Sequence, residues 1–298
     1  NNTPALGLAH VLADGSLDTA FSWGIDTSTS GAQVNALALT ASGQLIVGGS
    51  FSSIRKPEGT LTIRPNIAVI NLNDPAGATL ATAQPTAVSP VVDLAVTGTI
   101  IPRIWIAQQD DTNPGTPELQ AWELGASSPI NMGIVSGTIR SITAAPGNLL
   151  VIAGGFTRSP GIGIATPYNL AVINDSFNVL WGSSTPALRT AVAVDAGSRI
   201  YVGGNDDIAG IRAYSLSTGA PVTLSLPAGA PTTSQITDIA LAQGEMLIAR
   251  SAIPGDSSPL FARINMTSGT ALSSDQIAPE RPIRTITTTC PVAGAGTC

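Results

Sequence analysis

The stretches Ile67-Ala68-Val69-Ile70-Asn71 and Leu170-Ala171-Val172-Ile173-Asn174 are two copies of a short apolar string with alanine at its second position. The string recurs six times, and its alanines are Ala9, Ala68, Ala121, Ala171, Ala213 and Ala262. From the first alanine to the last, the five intervals average about 51 residues, which is the length of one supersecondary unit. The chain is therefore predicted to be built from repeats.

Each repeat carries further strand signals around the alanine string, which we call strand C. Strand A is the apolar segment upstream, as at 34–39, and strand B follows it after a turn with Gly or Pro, as at 45–51. A weaker strand D follows strand C, as at 177–181. Four short strands in chain order make an antiparallel meander, and a repeated meander is the blade of a β-propeller. A solenoid needs shorter units, and a two-sheet sandwich does not repeat its strand order six times.

The fold expected from this pattern is all-β, a six-bladed β-propeller of four-stranded antiparallel blades in a single domain over 1–298. Complete blades are predicted at about 34–88, 89–135, 136–186, 187–233 and 234–282. The closing blade is composite, with 283–298 from the C-terminus and 1–33 from the N-terminus. Because 290–298 is a poor strand B, this position holds either a cramped strand or an empty sheet edge that another chain completes.

Charge and hydropathy exclude two classes of function. The net charge is −6, and none of the arginines cluster in sequence, whereas nucleic-acid binding requires a basic face. No nucleic-acid partner is therefore expected. No apolar run approaches the roughly 18 residues that a membrane span needs, so the chain is not expected to span a membrane.

Both cysteines, Cys290 and Cys298, lie within the last nine residues, at a spacing that a hairpin-like loop can close. We predict that they form a disulfide, which implies an oxidising compartment. Such a ring contributes about 2.5 kcal/mol by the chain-entropy relation. The alternative is a pair of free thiols in a frayed end.

The run AHVLADGSLDTAF at 9–21, with LIVGGSF at 45–51 and NIAVIN at 66–71, resembles the delta-sixty repeat propellers of bacterial secreted and surface proteins. The blade pattern covers almost the whole chain, although Ala107-Gln108-Gln109 and Ala249-Arg250-Ser251 replace the glycine pair of strand B in two blades. The resemblance implies a propeller in an extracellular or cell-surface setting. It implies no activity, because the family is defined by its repeat.

Catalytic and metal-binding patterns are weak. The single histidine, His10, cannot build a multi-histidine metal site, and no Gly-x-Ser-x-Gly motif surrounds a serine. Asp206 and Asp207 follow the glycine pair of the fourth strand B and are the candidate metal ligands, because carboxylates in loops can hold calcium. The plainer interpretation is that they are solvated turn residues. No cofactor is expected, unless these carboxylates hold calcium.

Tryptophans supply a second set of candidates. Trp23 and Trp181 follow or end strand D, at the outer edge of a blade, and are candidates for a partner surface. Trp105 and Trp122 lie within strands B and C of one blade and are expected in the core.

The connections between strands B and C are long and varied, at 52–65, 110–118, 157–168, 205–210 and 252–259. In a meander the B–C and D–A connections emerge on one face, and variable loops on a rigid scaffold commonly bind partners. Unless this variation is neutral, the face is expected to bind a partner through residues that include Arg55, Lys56, Asp110, Asp111 and Arg158.

The sequence therefore favours a non-enzymatic secreted or cell-surface propeller that acts as an interaction module or as a subunit of an extracellular assembly. Its partners would be other proteins or copies of itself, bound through the B–C loop face or the incomplete closing blade. Two alternatives stay open, a carboxylate- or calcium-dependent propeller hydrolase or lyase, and a glycan-binding lectin.

Overall fold

A computed structural model describes residues 6–10, 18–74, 78–82, 84–98, 101–109, 118–126, 128–130, 134–159, 166–184, 189–204, 210–224, 236–242, 244–250, 261–266 and 271–273. Within these ranges the fold is all-β, without a helix, and every sheet is antiparallel. The chain forms two compact units, Asn1–Asn131 and Met132–Cys298.

The first unit contains three sheets in its described part. Its strands are β1 (Gly24–Ile25), β2 (Gln33–Leu39), β3 (Gln44–Ser50), β4 (Ser53–Arg55), β5 (Leu61–Ile63), β6 (Ile67–Asn71), β7 (Thr79–Leu80), β8 (Val91–Thr97), β9 (Arg103–Gln108) and β10 (Leu119–Glu123). The sheets have the orders β2-β3-β6-β7, β8-β9-β10 and β1-β4-β5. The first two are the predicted blades, and the third was not predicted.

The second unit contains three four-stranded sheets in its described part. Its strands are β11 (Ile134–Ala145), β12 (Leu149–Ser159), β13 (Thr166–Ile173), β14 (Val179–Ser183), β15 (Arg189–Val194), β16 (Arg199–Gly204), β17 (Ile211–Ser215), β18 (Pro221–Val222), β19 (Ile236–Ala242), β20 (Glu245–Arg250), β21 (Phe261–Asn265) and β22 (Ala271–Ser273). The sheets run β11 to β14, β15 to β18 and β19 to β22 in chain order.

The predicted order of strands A, B, C and D is confirmed in four of these sheets. The sheet β8-β9-β10 has strands A to C, and a single bridge between Ala121 and Ile130 stands where strand D is expected. Within each unit, strand A of one sheet packs on strands A and B of the sheet before it. These contacts are β8 on β2 and β3, β15 on β11 and β12, and β19 on β15 and β16.

A β-bulge recurs in strand A of all five predicted-blade sheets among the described residues. The extra residue lies at Asn35, Val92, Arg140, Thr190 and Thr237, where the pairing with strand B shifts by one. A bulge leaves its extra residue outside the ladder and bends the strand. The five sheets therefore share the position of a backbone irregularity as well as the order of their strands.

The glycine pair of strand B serves both the bulge and the packing between sheets. A Cβ at Gly49 would lie 2.2 Å from the carbonyl oxygen of Gln33, in the bulged segment of the same sheet. A Cβ at Gly48 would lie 2.6 Å from Cγ1 of Val91, in strand A of the next sheet. The two glycines therefore accommodate the bulge within one sheet and the close approach of the next sheet.

Side chains at the bulge also bond to the next sheet. The amide of Asn35 donates to the carbonyl of Val91 at 2.7 Å, and the hydroxyl of Thr190 donates to the carbonyl of Ile236. Val91 and Ile236 are the first residues of strand A in their own sheets. The bulge thus exposes a polar side chain that ties two successive sheets together.

The alanine of strand C is explained by its partner in strand B. In the five sheets the directly paired residues are Val47 with Ala68, Trp105 with Ala121, Ile152 with Ala171, Tyr201 with Ala213, and Ile248 with Ala262. Directly paired residues of antiparallel strands share one face, so the small alanine leaves room for a larger neighbour. Ala68, Ala121 and Ala171 are fully buried.

The first copy of the string behaves differently. Ala9 is exposed, and within 6–10 and 18–21 no residue belongs to a strand. The strands C and D expected here are not formed at these described positions, and the remaining positions, 11–17, lie outside the described residues. The segment instead packs on the outer face of the first sheet, where Leu8, Trp23 and Ile25 join an apolar cluster with Val47 and Ala68.

Tyr201 anchors the apolar cluster between the sheets that begin with β15 and β19. Its ring is fully buried with Ile236, Met246 and other apolar side chains. Its hydroxyl donates to Oδ2 of Asp195 at 2.9 Å, and the same oxygen accepts from Nε of Arg199 at 2.8 Å. Burial, reinforced by the Asp195 carboxylate, raises the pKa of Tyr201 to about 12.

Candidate functional site

The first B–C connection folds into a hairpin that sequence reasoning missed. Residues 52–65 were predicted as a loop, but β4 and β5 pair with each other, and β4 also pairs with β1. The alternation of apolar and β-branched residues in Leu61-Thr62-Ile63 is a strand signal that could have found it. This hairpin with its flanking residues, 52–65, is the candidate site, and we call it the B–C hairpin.

The tip of the B–C hairpin is closed by backbone and side-chain bonds. Lys56 N–H donates to the carbonyl of Thr60 at 2.9 Å, and Gly59 N–H donates to the carbonyl of Lys56 at 2.8 Å. Gly59 has a φ of 88°, which favours glycine. The Thr60 hydroxyl donates to Glu58 at 2.7 Å, and this bond lowers the pKa of the Glu58 carboxyl below its ordinary value.

One face of the small sheet is buried and the other presents apolar side chains to solvent. Ile25 and Ile54 are directly paired and fully buried against the first sheet. On the opposite face, Leu61 is 47% exposed and Ile63 is 77% exposed. Large apolar side chains that share one exposed face are a feature of interaction surfaces.

Three cations surround these apolar side chains. Arg55 donates from Nη1 to the carbonyl of Gly59 at 3.1 Å, and Arg64 donates from Nη1 to the carbonyl of Ile63 at 3.1 Å. The Nε atoms of both arginines are shielded from solvent without a hydrogen-bond partner. Lys56 forms a long ion pair of 3.8 Å with Glu58. The site thus carries three positive charges and one negative charge in a chain of net charge −6.

The electrostatics of Asp26 also involve the B–C hairpin, through the charge of Arg55. Its N–H donates to the carbonyl of Ser53 at 3.0 Å, which places it beside β4. Hydrogen bonds from Ser28, with the charge of Arg55 adding to them, hold the pKa of Asp26 below its ordinary value. Asp26 therefore stays ionised and partly offsets the charge of Arg55.

The tryptophans divide between core and partial exposure. Trp105 and Trp122 are 0% and 3% exposed, as expected. Trp23 is only 3% exposed, so its expected place on a partner surface is wrong, because the outer face of the first sheet covers its ring. Trp181 is half-buried, and its indole donates to the carbonyl of Leu216 at 2.7 Å. Its ring is therefore engaged in packing within its own unit.

Other sequence-predicted candidates fall outside the described part of the chain. These are Asp110, Asp111, Asp206, Asp207, Cys290 and Cys298, together with the proposed closing strand at 283–289. The backbone of Arg158 belongs to β12, while its side chain is not described. The disulfide, the calcium ligands and the closing blade stay predictions.

The described residues contain no group of three or more His, Cys, Asp and Glu side chains that could hold a metal ion. His10 pairs with Asp18 at 2.9 Å, and its ring lies edge-on to Phe21 with centroids 5.9 Å apart. This contact joins two exposed segments near the N-terminus. It gives His10 an observed structural role.

A shallow cleft of about 440 Å³ opens beside strand D of the first sheet. Its lining consists of Gln44, Asn71, Thr79, Leu80, Ala81, Thr82, Leu124 and Gly125. None of these side chains is charged, and none is a nucleophile paired with a base. The cleft therefore offers no catalytic arrangement.

No known family model and no curated protein sequence matches the chain. Within the described ranges no helix is long and apolar enough to cross a membrane.

Proposed function

We propose that the protein is a non-enzymatic interaction module, secreted or displayed at the cell surface, built as a six-bladed β-propeller with a composite closing blade. It binds a partner protein through the face that carries the B–C connections. The extracellular setting rests on the resemblance to delta-sixty propellers and on the predicted bond between Cys290 and Cys298.

The repeated sheet design supports the propeller. Successive sheets in each unit stack strand A on strands A and B of the sheet before, as radially arranged blades do. The N-terminal segment supports a composite closing blade, because Leu8 and Trp23 pack on the face of the first sheet that a preceding blade would cover. Six blades follow from the sequence repeat.

The observation that carries the binding function is the exposed apolar face of the B–C hairpin. Ile63 is 77% exposed although its strand is held by a regular ladder to β4. A mobile loop would lose conformational entropy when it binds, whereas a hydrogen-bonded hairpin has already lost most of it. Exposed apolar side chains on an ordered element are suited to recognition.

Site-specific photocrosslinking tests this function. We place p-benzoylphenylalanine at Ile63 or at Ile101, an isoleucine of similar exposure, 61%, in the A–B connection of the second sheet. Mixed with secreted and surface proteins of the source cells, the Ile63 variant should give a discrete product that excess wild-type protein abolishes. The Ile101 variant should not give it. Products of equal yield from both positions, or none from Ile63, would contradict the proposal.

A further inference from the structure

The geometry points to strand addition at the B–C hairpin: the free edge of β5 binds an extended acidic segment of a partner protein. This inference rests on the proposed function and names how the site works and what it recognises.

The backbone hydrogen bonds of the hairpin fix which residues face inward. Arg64 N–H donates to the carbonyl of Ser52 at 3.0 Å, and Lys56 N–H donates to the carbonyl of Thr60 at 2.9 Å. Along an antiparallel ladder, hydrogen-bonded pairs alternate with pairs that share no backbone hydrogen bond. The pair Ile54–Thr62 lies midway between these two bonded pairs, so the backbone groups of Thr62 also bond to β4.

The backbone groups of the residues on either side of Thr62 face away from β4. The N–H and carbonyl groups of Leu61 and Ile63 are directed away from β4, toward the free edge. The opposite side of β4 shows the same alternation, because the carbonyl of Ser53 accepts from Asp26 rather than from β5. Within the described residues no strand pairs with this edge of β5. Its backbone groups form a template for an added strand, and the carbonyl of Ile63, which already accepts one bond from Arg64, has a second lone pair for it.

The side chains at this edge match an extended peptide that has an apolar side chain at every second position. Leu61 and Ile63 stand on the same exposed face, two residues apart, which is the spacing of side chains on one side of a strand. An added strand would place its own apolar side chains beside them on that face. Main-chain hydrogen bonds would supply affinity, and these side chains would supply specificity.

The charges select an acidic partner. The carbonyl of Ile63 points to the free edge, and the Arg64 guanidinium is bonded to it at 3.1 Å, so a positive charge lies beside the added strand. Among the described residues neither Arg64 nor Arg55 forms an ion pair. A carboxylate of the partner can therefore take a charge-assisted bond from a guanidinium group without breaking an ion pair among the described residues.

The same charges disfavour a second copy of this edge as the occupant. Two β5 edges brought together would oppose the cations Arg55, Lys56 and Arg64 of one chain to those of the other. Like charges across an interface are repulsive, and charged residues on edge strands commonly prevent self-association. An acidic segment from a different protein meets no such repulsion.

Fluorescence anisotropy with a defined probe tests the inference. The probe is a fluorescein-labelled peptide of sequence TVEVDVT, and the control peptide TVKVKVT has the same length and apolar positions. The wild-type protein should bind the acidic peptide at least about tenfold more tightly than the basic one, because a charge-assisted bond is gained and repulsion is avoided. Equal affinities would overturn the charge argument.

Variants separate the backbone contribution from the side-chain contribution. Ile63→Pro removes one outward N–H but no bond of the β4–β5 ladder, and proline is tolerated where a strand's N–H faces solvent. It should lower affinity at least about tenfold, whereas Ile63→Thr, which keeps the N–H, should lower it less. Arg64→Glu should also lower it at least about tenfold. An Ile63→Pro variant that folds and binds as tightly as Ile63→Thr would overturn strand addition.

Amide hydrogen exchange followed by nuclear magnetic resonance on the wild-type protein tests the same point without a substitution. The amides of Leu61 and Ile63 should exchange fast in the free protein and become protected with saturating TVEVDVT, whereas Thr62 should be protected in both states. Protection that rises with protein concentration in the absence of peptide would instead identify a second copy as the occupant. If the Ile63 crosslink forms but the peptide neither binds nor protects, strand addition is wrong and the proposed function stands. If neither is seen, both are wrong.

Discussion

Replacing Tyr201 by alanine should lower the free energy of unfolding by about 3–5 kcal/mol, the range for removing a buried aromatic ring. Tyr201 is fully buried in the cluster between two successive sheets, so its loss leaves a cavity that both sheets border. Urea unfolding followed by circular dichroism measures the change. A loss below about 1 kcal/mol would show that the cluster does not hold these sheets together.

Tyr201→Phe is the matched control, because it keeps the ring and removes only the hydroxyl that donates to Asp195. The loss should be about 1 kcal/mol, since Asp195 keeps its bond from Arg199. The pKa of Tyr201 is raised to about 12, so the unfolded chain releases this proton first as pH rises above the ordinary value of 10.0. Stability should therefore fall between about pH 10 and 12 in the wild-type protein, and less in Tyr201→Phe.

The second large effect is expected at Gly203. A Cβ added there would lie 2.6 Å from Cγ2 and 2.8 Å from Cβ of Ile236, closer than real Cβ atoms approach a neighbour. Because a Cβ is not the end of a flexible chain, the sheets themselves must separate. Gly203→Ala should therefore lower the free energy of unfolding by about 1–3 kcal/mol.

Gly155→Ala provides the matched control. An added Cβ at Gly155 meets only Oδ1 of Asn169, at 3.8 Å, which is an ordinary contact. Its substitution should change the free energy of unfolding by less than about 0.5 kcal/mol, because nothing has to move. Thermal unfolding of both variants compares them. Equal losses would show that these substitutions act through general strand propensity and not through the approach of two sheets.

The repeat could be predicted because each of its signals is local. The string Leu45-Ile46-Val47-Gly48-Gly49 shows a short apolar run that ends in a glycine pair, and the turn before it contains glycine. The pairing of a large residue with the alanine of strand C could not be predicted, because the register between strands B and C is set across a B–C connection that differs in length from sheet to sheet. The bulge in strand A could not be predicted either. Nothing in the sequence around Asn35 marks a bulge by itself.

The candidate site was only partly predictable. Arg55 and Lys56 were placed correctly in the first B–C connection, because long connections between regular strands are visible in sequence. The small sheet that orders them depends on β1, which is only two residues long. β1 pairs with β4, which lies far from it in sequence, as in the pair Ile25 with Ile54. Trp23 was misplaced for the same reason, since its ring is buried in an apolar cluster whose members, Phe51 and Ile54 among them, come from distant parts of the first unit. Contacts of this kind have no local pattern.

We propose that the repeats close into one ring that presents the B–C hairpin to a partner. A crystal structure of the full chain tests it most directly. We expect six blades around one axis, with 283–289 and the N-terminal segment in the same blade and the free edge of β5 facing solvent. A different number of blades, chain ends in separate blades, or a strand of the same chain covering β5 would contradict it.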